Sequence, residues 1–332
     1  MATLKEISLL ANVSISTVSK ALNGSDEISK ETRDEILQIA KSLNYQIKEQ
    51  RILPYNEKTI AVICPELNSN YYTQLLNHIN EYIISKGYYS MLGFSFFSPA
   101  KEEELLKDFT KKRVDGILFI TENKHAAELF HFVKTSHVPI VIIANTADEM
   151  DIPMHDVIKI DEEYGIELAI QHLTTLGHRK IAYIGDALSE SRHQIFSSLL
   201  RKYGLCENKE YMITSDLRFE EAGYHAMHEI LRTEEKPTAL FAAYDDIAIG
   251  AMKAVYENKL IIPRDLSVVG FDNIFVSPYL PTGLTTISNP IKEMARTSCT
   301  ILMSKMKHSE HTVVQHVTLK PSLILRDSTG EV

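Results

Sequence analysis

Near the start of the chain, the side chains best suited to chemistry are three hydroxyls and one lysine. Ser16, Thr17, Ser19 and Lys20 fall on one side of a predicted short helix. The hydroxyl side chains are short and uncharged, and all four residues can form hydrogen bonds. Such a face can approach the phosphates and base edges of a double helix closely. We therefore expect this helix to contact nucleic acid.

The elements around this face are two short helices joined by a tight polar turn. Apolar residues recur at helical spacing from residue 4 to residue 11, and Asn12 is suited to the left-handed conformation that ends a helix. Ser14 stands where the next helix needs a cap, and a third helix is predicted from Lys30 to about Leu43. This arrangement is typical of a helix-turn-helix. Periodicity alone is equally compatible with an ordinary three-helix bundle that has a polar face.

The length and charge of the chain indicate more than a nucleic-acid-binding unit. The chain has 332 residues, 44% of them hydrophobic, which is enough for one small and two medium domains. Residues 1–58 contain as many acidic as basic side chains, so the net charge of −9 lies on the remainder. We expect weak non-specific DNA binding by the first unit and repulsion of the acidic body from DNA.

The cysteines and the N-terminus restrict the class of protein further. Cys64, Cys206 and Cys299 lie far apart, and neither they nor the histidines have the spacing of metal ligands. The chain starts with an amphipathic helix rather than an apolar leader, and no window is long and apolar enough to span a membrane. We expect a cytoplasmic protein without a metal or another cofactor.

From Thr59 onward, short apolar runs alternate with longer helical segments. The pattern opens with the apolar run 60–64 and starts again after Asp161. Repeated βαβ units predict two doubly wound parallel sheets. Two such units side by side leave a cleft at the carboxyl ends of their strands, where ligands bind.

Several motifs resemble the LacI/GalR family of bacterial transcription regulators. The segment from Val13 to Asn23 resembles the family headpiece pattern V-S-x-x-T-V-S-R-x-L-N, and further family-like motifs follow in family order. These are Val114 to Ile117, Leu176 to Gly185, Val268 to Asn273, Leu284 to Ile287 and Arg326 to Thr329. The body of this family resembles periplasmic sugar-binding proteins.

The resemblance implies a domain organisation that periodicity does not reveal. It predicts an N-terminal all-α helix-turn-helix headpiece over residues 1–45 and a hinge or linker over residues 46–58. The α/β body, of the periplasmic-binding-protein type, is expected to have two doubly wound parallel-sheet subdomains that are discontinuous in sequence. One comprises residues 59–160 plus 291–320, and the other comprises residues 161–288 plus 322–332.

The same matching implies which residues contact DNA. Ile15, Ser16 and Lys20 take the positions that face bases, and the phosphate-contacting positions fall to Thr3, Ser14, Thr17, Ser19 and Asn23. In the family, a leucine of a hinge helix wedges into the minor groove, and Leu53 is the matching residue. The segment is shorter than the family pattern and Pro54 follows at once, so a plain flexible linker is the alternative.

Matched positions in the body imply an effector pocket. Tyr71 and Tyr72 are expected to stack on a ring, and Phe271 is expected to pack against apolar faces of the ligand. Asp272 can accept two hydrogen bonds from sugar hydroxyls. The other matched positions are Arg192, Arg218, Tyr244 and Asn289.

Two departures from the family pattern predict a more positively charged pocket. Ala144 stands where many sugar-binding members carry an aspartate, and Arg218 stands where an aromatic residue is common. This exchange favours an anionic ligand, a sugar phosphate or a sugar acid, because arginine binds both groups in fork geometry. The alternative is that Arg218 points to solvent.

Together these features predict a sequence-specific DNA-binding transcription regulator, a repressor in the common mode of the family. A sugar or sugar derivative in the cleft is expected to control its affinity for the operator, and a homodimer is expected to bind a pseudo-palindromic site. The alternatives are a solute-binding module, against which the headpiece argues, and an enzyme on a doubly wound fold. The sequence has neither G-x-G-x-x-G nor G-x-x-x-x-G-K-[ST], which argues against the enzyme.

Overall fold

The computed structural model describes residues 3–22, 28–43, 45, 58–123, 138–144, 155–307 and 313–332. The predictions for Asn23, for Leu53 and for residues 46–57 of the hinge lie outside the described residues. The chain divides into two compact units, residues 1–57 and residues 58–332.

The first unit contains three short helices around a small apolar core. Its helices are α1 (Leu4–Leu10), α2 (Ile15–Leu22) and α3 (Lys30–Ser42). Asn12 adopts a positive φ of 51° between α1 and α2, as the turn requires. The core is formed by Ile7, Val18, Ala21, Ile36 and Ala40. The predicted helix-turn-helix is thus confirmed.

The first lobe of the body is built on a six-stranded parallel sheet. Its strands are β1 (Thr59–Cys64), β2 (Tyr89–Phe94), β3 (Gly116–Ile120), β4 (Ile140–Ile143), β5 (Asp156–Ile160) and β11 (His316–Leu319). Their order in the sheet is β11-β5-β4-β3-β1-β2. The described helices on this sheet are α4 (Asn70–Ser85), α5 (Pro99–Lys111) and α10 (Ile291–Lys307).

The second lobe repeats this plan with one antiparallel edge strand. Its strands are β6 (Ile181–Asp186), β7 (Met212–Ser215), β8 (Ala239–Ala242), β9 (Ser267–Phe271), β10 (Thr285–Ser288) and β12 (Ser322–Ile324). The order is β12-β10-β9-β8-β6-β7, and only β12 runs antiparallel to its neighbour. The helices are α6 (Glu162–Thr175), α7 (Glu190–Lys202), α8 (Phe219–Ile230) and α9 (Asp245–Glu257).

Both sheets are covered on two faces, as doubly wound sheets must be. All residues of β1 from Ile60 to Cys64 are fully buried, and β3, β4, β8 and β9 are buried throughout. Continuous apolar runs are typical of such strands because helices shield both sides. The chain enters the second sheet after β5, returns to the first with α10 and β11, and re-enters the second at β12. The predicted fold class is thus confirmed.

Helices α8 and α9 approach so closely that their contact depends on two glycines. A Cβ atom at Gly223 would lie 1.9 Å from the carbonyl oxygen of Ile247, and one at Gly250 would lie 1.9 Å from the carbonyl oxygen of Glu220. Because both obstacles are backbone atoms, no rotamer change relieves the clash.

Gly250→Ala is therefore expected to lower the free energy of unfolding of the body by roughly 3 kcal/mol. The usual gain from replacing a helical glycine by alanine, about 1 kcal/mol, is too small to compensate. Urea unfolding measures the difference, and Lys253→Ala on the exposed side of α9 is the control, with a change of about 0.5 kcal/mol or less. A Gly250→Ala variant as stable as the native chain would contradict the close approach.

Candidate functional site

Helix α2 presents the predicted DNA-contacting side chains on one exposed face. Val18 and Ala21 are buried in the core, whereas Ile15, Ser16 and Lys20 are exposed. Ile15 is an apolar side chain left 48% exposed, which suits contact with a thymine methyl group rather than with water. The structure thus brings together on one helix face the three residues predicted to face bases.

Two of the predicted phosphate-contacting residues also begin helices. The Oγ of Ser14 accepts a hydrogen bond from the backbone N–H of Thr17 at 3.1 Å and so caps α2. At α1, the backbone N–H of Glu6 donates to Thr3 Oγ1 at 3.3 Å, and the Thr3 N–H donates to Glu6 Oε2 at 2.7 Å. Thr3, Ser14, Thr17 and Ser19 therefore lie at or near helix N-termini, where backbone N–H groups favour phosphate.

A cavity of about 50 Å³ lies between the two lobes of the body. Its lining comes from segments that follow the carboxyl ends of strands in both sheets, where ligands of parallel sheets bind. Six predicted effector residues line it: Tyr71, Tyr72, Arg192, Arg218, Tyr244 and Asp272. The lining residues that sequence reasoning missed are Ser69, Phe97, Glu122, Glu162, Leu188, Ser191, Phe219 and Asp246.

Arg192 holds the second-lobe side of the cavity together. Its Nε donates to Glu162 Oε1 at 2.9 Å, and its Nη1 donates to the carbonyl oxygen of Ala243 at 2.6 Å. Its Nη2 lies 3.8 Å from Asp272 Oδ1. The guanidinium group is buried and stacks 4.0 Å from the centre of the Phe271 ring. Such a charge is stable in the interior only because it is paired and hydrogen-bonded.

The structure corrects the expected roles of Phe271 and Asn289. Phe271 is fully buried beneath Arg192 and does not line the cavity, so it supports the arginine rather than touching a ligand. The Asn289 side chain donates from Nδ2 to Asp272 Oδ1 at 2.8 Å and lines a neighbouring hollow instead. Asp272 is thus fixed from two sides, at a backbone φ of 106° that is strained for a residue with a side chain.

Arg218 faces the cavity rather than solvent, but its charge is already neutralised. Its Nη1 and Nη2 lie 2.9 Å and 2.8 Å from the two carboxylate oxygens of Glu66, and its Nε lies 3.5 Å from Asp186 Oδ2. The expected anionic ligand depended on a free Arg218. The structure removes that reason, because the fork of the guanidinium is already filled by a carboxylate.

Two further carboxylates of the lining are bound to hydrogen-bond donors rather than to cations. Glu122, after β3, accepts a hydrogen bond from Tyr72 Oη at 3.3 Å, and Asp246 accepts one from Asn70 Nδ2 at 2.7 Å. Burial raises the pKa of Glu122 to about 8 and that of Asp246 to about 6. The sequence signal for both was their place just after a buried strand, where polar residues collect at the ligand-binding edge.

Metal and membrane sites can be assessed for the same residues. Within the ranges that the structure describes, no group of three or more histidine, cysteine or acidic residues is placed to hold a metal ion. No described helix is both long and apolar enough to cross a membrane.

The raised pKa of Asp246 makes its contribution to stability depend on pH. The pKa is 3.8 for the free side chain and about 6 here, so the folded body binds this proton more tightly. Asp246 therefore stabilises the fold most below pH 4, and this contribution is lost as the pH rises through 6. Asp246→Asn removes it.

We expect the native body to lose roughly 1–3 kcal/mol of stability relative to Asp246→Asn between pH 4 and pH 7. Urea unfolding of both chains across this range measures the difference. The comparison is between variants because burial lowers the pKa of His172 and His178, which changes stability in the opposite direction. A difference that does not vary with pH would show that Asp246 is ionised in the folded body over the whole range.

Comparison with known families matches both units of the chain. Residues 3–47 match the model of bacterial regulatory proteins of the lacI family, and residues 170–329 match that of periplasmic binding protein-like domains. The HTH-type transcriptional repressor PurR of Haemophilus influenzae strain PittEE is 30% identical over 345 residues that cover the whole of both chains. Catabolite control protein A of Priestia megaterium is 28% identical, covering 98% of this chain and 99% of the relative.

Solved structures share the fold over the full length. The lac repressor dimer bound to operator and the anti-inducer ONPF has a TM-score of 0.74 at 23% identity, covering 99% of each chain. A complex of the transcriptional regulator CelR with cellobiose has a TM-score of 0.72 at 24% identity, covering 99% of this chain and 100% of that one. A ribose-bound LacI-family regulator from Enterococcus faecium has a TM-score of 0.70 at 25% identity, covering 83% and 100%.

The full-length match to a repressor, the two family models and the shared fold agree with the helix face and the cavity described above. The chain belongs to the lacI family of bacterial regulatory proteins and is a DNA-binding transcription regulator controlled by a small molecule.

Proposed function

We propose that this regulator is a cytoplasmic homodimeric repressor whose operator binding responds to a small polar molecule held between the lobes of the body. One observation carries the proposal: on one chain, an exposed polar recognition helix accompanies a cavity lined by aromatic rings, carboxylates and arginines from both lobes. No residues with the geometry of a catalytic nucleophile and base are required, and the chain is not an enzyme in this proposal.

The proposed domain organisation follows the sheets. Residues 1–45 form the headpiece, residues 46–58 a hinge, residues 59–160 with 291–320 the first lobe, and residues 161–288 with 322–332 the second. The strand order supports this division of the body, because β11 lies in the first sheet and β12 in the second. Ligand that bridges the lobes would select one angle between them and so shift the population of the DNA-binding form.

The ligand is proposed to contact the aromatic and charged lining from both sides. Tyr71 and Tyr72 supply first-lobe rings, with centroids 5.2 Å apart, and Tyr244 supplies a ring of the second lobe. Asp272, held by Asn289 and Arg192, is the acceptor for ligand hydroxyl or amine hydrogens. The cavity of about 50 Å³ is smaller than a typical ligand site, so binding requires the lobes or the side chains to move apart.

An exposed aromatic surface supports the proposed homodimer. Phe275 is 79% exposed and Tyr279 is 72% exposed, with ring centroids 5.5 Å apart. An apolar hollow lined by Ile249, Met252 and Tyr256, among others, lies elsewhere on the same lobe. Large apolar side chains in such numbers are typical of a surface that a partner covers.

Asp272→Asn is expected to abolish the response of operator binding to ligand. The substitution removes the charge that pairs with Arg192 and halves the number of acceptor atoms at the cavity wall. Operator affinity is measured by fluorescence anisotropy with and without ribose, cellobiose and other candidate metabolites, and Lys253→Ala is the control. A variant that keeps the native response would exclude Asp272 from ligand binding.

Lys20→Ala is expected to change the sequence preference of the headpiece. Lysine at this position can donate to guanine O6 and N7, so its loss should cost about 1–3 kcal/mol at sites that present guanine there and little elsewhere. A mobility-shift panel of operators substituted one base pair at a time measures this, with Lys41→Ala on α3 as the control. Equal losses on every operator would reject a base-reading role for Lys20.

A further inference from the structure

The arginines of the cavity have no capacity left for a ligand anion. Arg192 is bound to Glu162, to the Ala243 carbonyl and to Asp272, and Arg218 is bound to Glu66 and Asp186. Four carboxylates thus surround two guanidinium groups. An incoming phosphate or carboxylate would have to displace one of them and leave it buried without its partner, which is strongly unfavourable.

Two more carboxylates of the lining are left without a cation. Among the described residues, no lysine, arginine or histidine forms an ion pair with Glu122 or Asp246; their partners are the Tyr72 hydroxyl and the Asn70 amide. The carboxylates therefore outnumber the cations both in the lining and directly behind it. A positively charged ligand group would complete this charge balance, because buried carboxylates are stabilised by an opposite charge.

Aromatic rings provide the second requirement for binding a cation. Tyr71 and Tyr72 meet edge to face at the Glu122 side of the cavity, and Phe97 lies 6.3 Å from Tyr72. Cations are attracted to the faces of such rings, more strongly where water is excluded. The Phe97 and Phe219 rings already lie beside a cation in this structure, the guanidinium group of Arg218.

We propose that the natural ligand of this cavity carries an ammonium group, bound between the Glu122 carboxylate and the rings of Tyr71 and Tyr72. The proposal rests on the proposed function, since it names the chemical class of the ligand for the same cavity. An amine-bearing polyhydroxyl compound satisfies every lining group: its ammonium group meets Glu122, and its hydroxyls donate to Asp246 and Asp272. A neutral sugar would leave the excess negative charge unbalanced.

Binding of such a ligand is coupled to a proton on Glu122. The groups that face this carboxyl are Glu162, Arg192, Tyr72 and Glu102, and burial together with the charge of Glu162 outweighs Arg192 and raises its pKa to about 8. At neutral pH the ligand-free site therefore holds this proton, and an ammonium group expels it. A neutral ligand expels none.

The test uses purified full-length protein and pairs of sugars that differ only in an amine or a hydroxyl. The probes are glucosamine with glucose, galactosamine with galactose, and glucose 6-phosphate as the anion, each titrated calorimetrically in two buffers of different ionisation enthalpy. We expect an amine to bind at least tenfold more tightly than its hydroxyl partner and to release protons from the carboxyl site. Glu122→Gln should reduce this preference to threefold or less and abolish that proton release.

The matched control is Glu104→Gln on the exposed side of α5, which should keep the native preference for the amine. Tighter binding of the hydroxyl partner or of glucose 6-phosphate overturns the proposal, and so does a panel in which no amine binds. Mobility shifts on operator DNA separate this failure from that of the proposed function. A chain that binds operator and responds to a neutral or phosphorylated sugar keeps the function and loses only the amine.

Discussion

The buried ion pair between Arg192 and Glu162 is the interaction on which the rest of the ligand-binding body depends. It joins the start of α7 to the start of α6, and the same guanidinium group reaches the Ala243 carbonyl after β8 and Asp272 after β9. The loops that follow four strands are thereby fixed around one charge. Because a buried charge that loses its partner is costly, this arrangement is nearly all-or-none. It gives the cavity a rigid second-lobe wall.

The opposite wall is held less strongly, and that difference is useful for a switch. The contacts that cross from first-lobe to second-lobe segments include the ion pair of Glu66 with Arg218 and the hydrogen bond of Asn70 with Asp246. Both are polar, and Arg218 is about one-third exposed, so water can replace them at modest cost when the lobes separate. A ligand that contacts both walls would add to these contacts and favour one lobe arrangement.

The sequence predicted the architecture because its signals are local. Helical spacing, the Ser14 cap and the positive φ of Asn12 specify the headpiece within about twenty residues, and apolar runs specify the buried strands. The charge state of the cavity is not local. Arg218 and Glu66 are 152 residues apart in sequence, so nothing near Arg218 reveals that it is paired. Phe271 and Asn289 were assigned to the ligand for the same reason, since their contacts with Arg192 and Asp272 form only in the folded body.

The account is tested most directly by fluorescence anisotropy of the full-length protein on promoter fragments from its native locus. It predicts that a near-palindromic fragment is bound at low ionic strength, that added salt weakens binding, and that a small molecule changes the affinity at least fivefold. If no fragment is bound at low salt, with or without candidate metabolites, the account is contradicted.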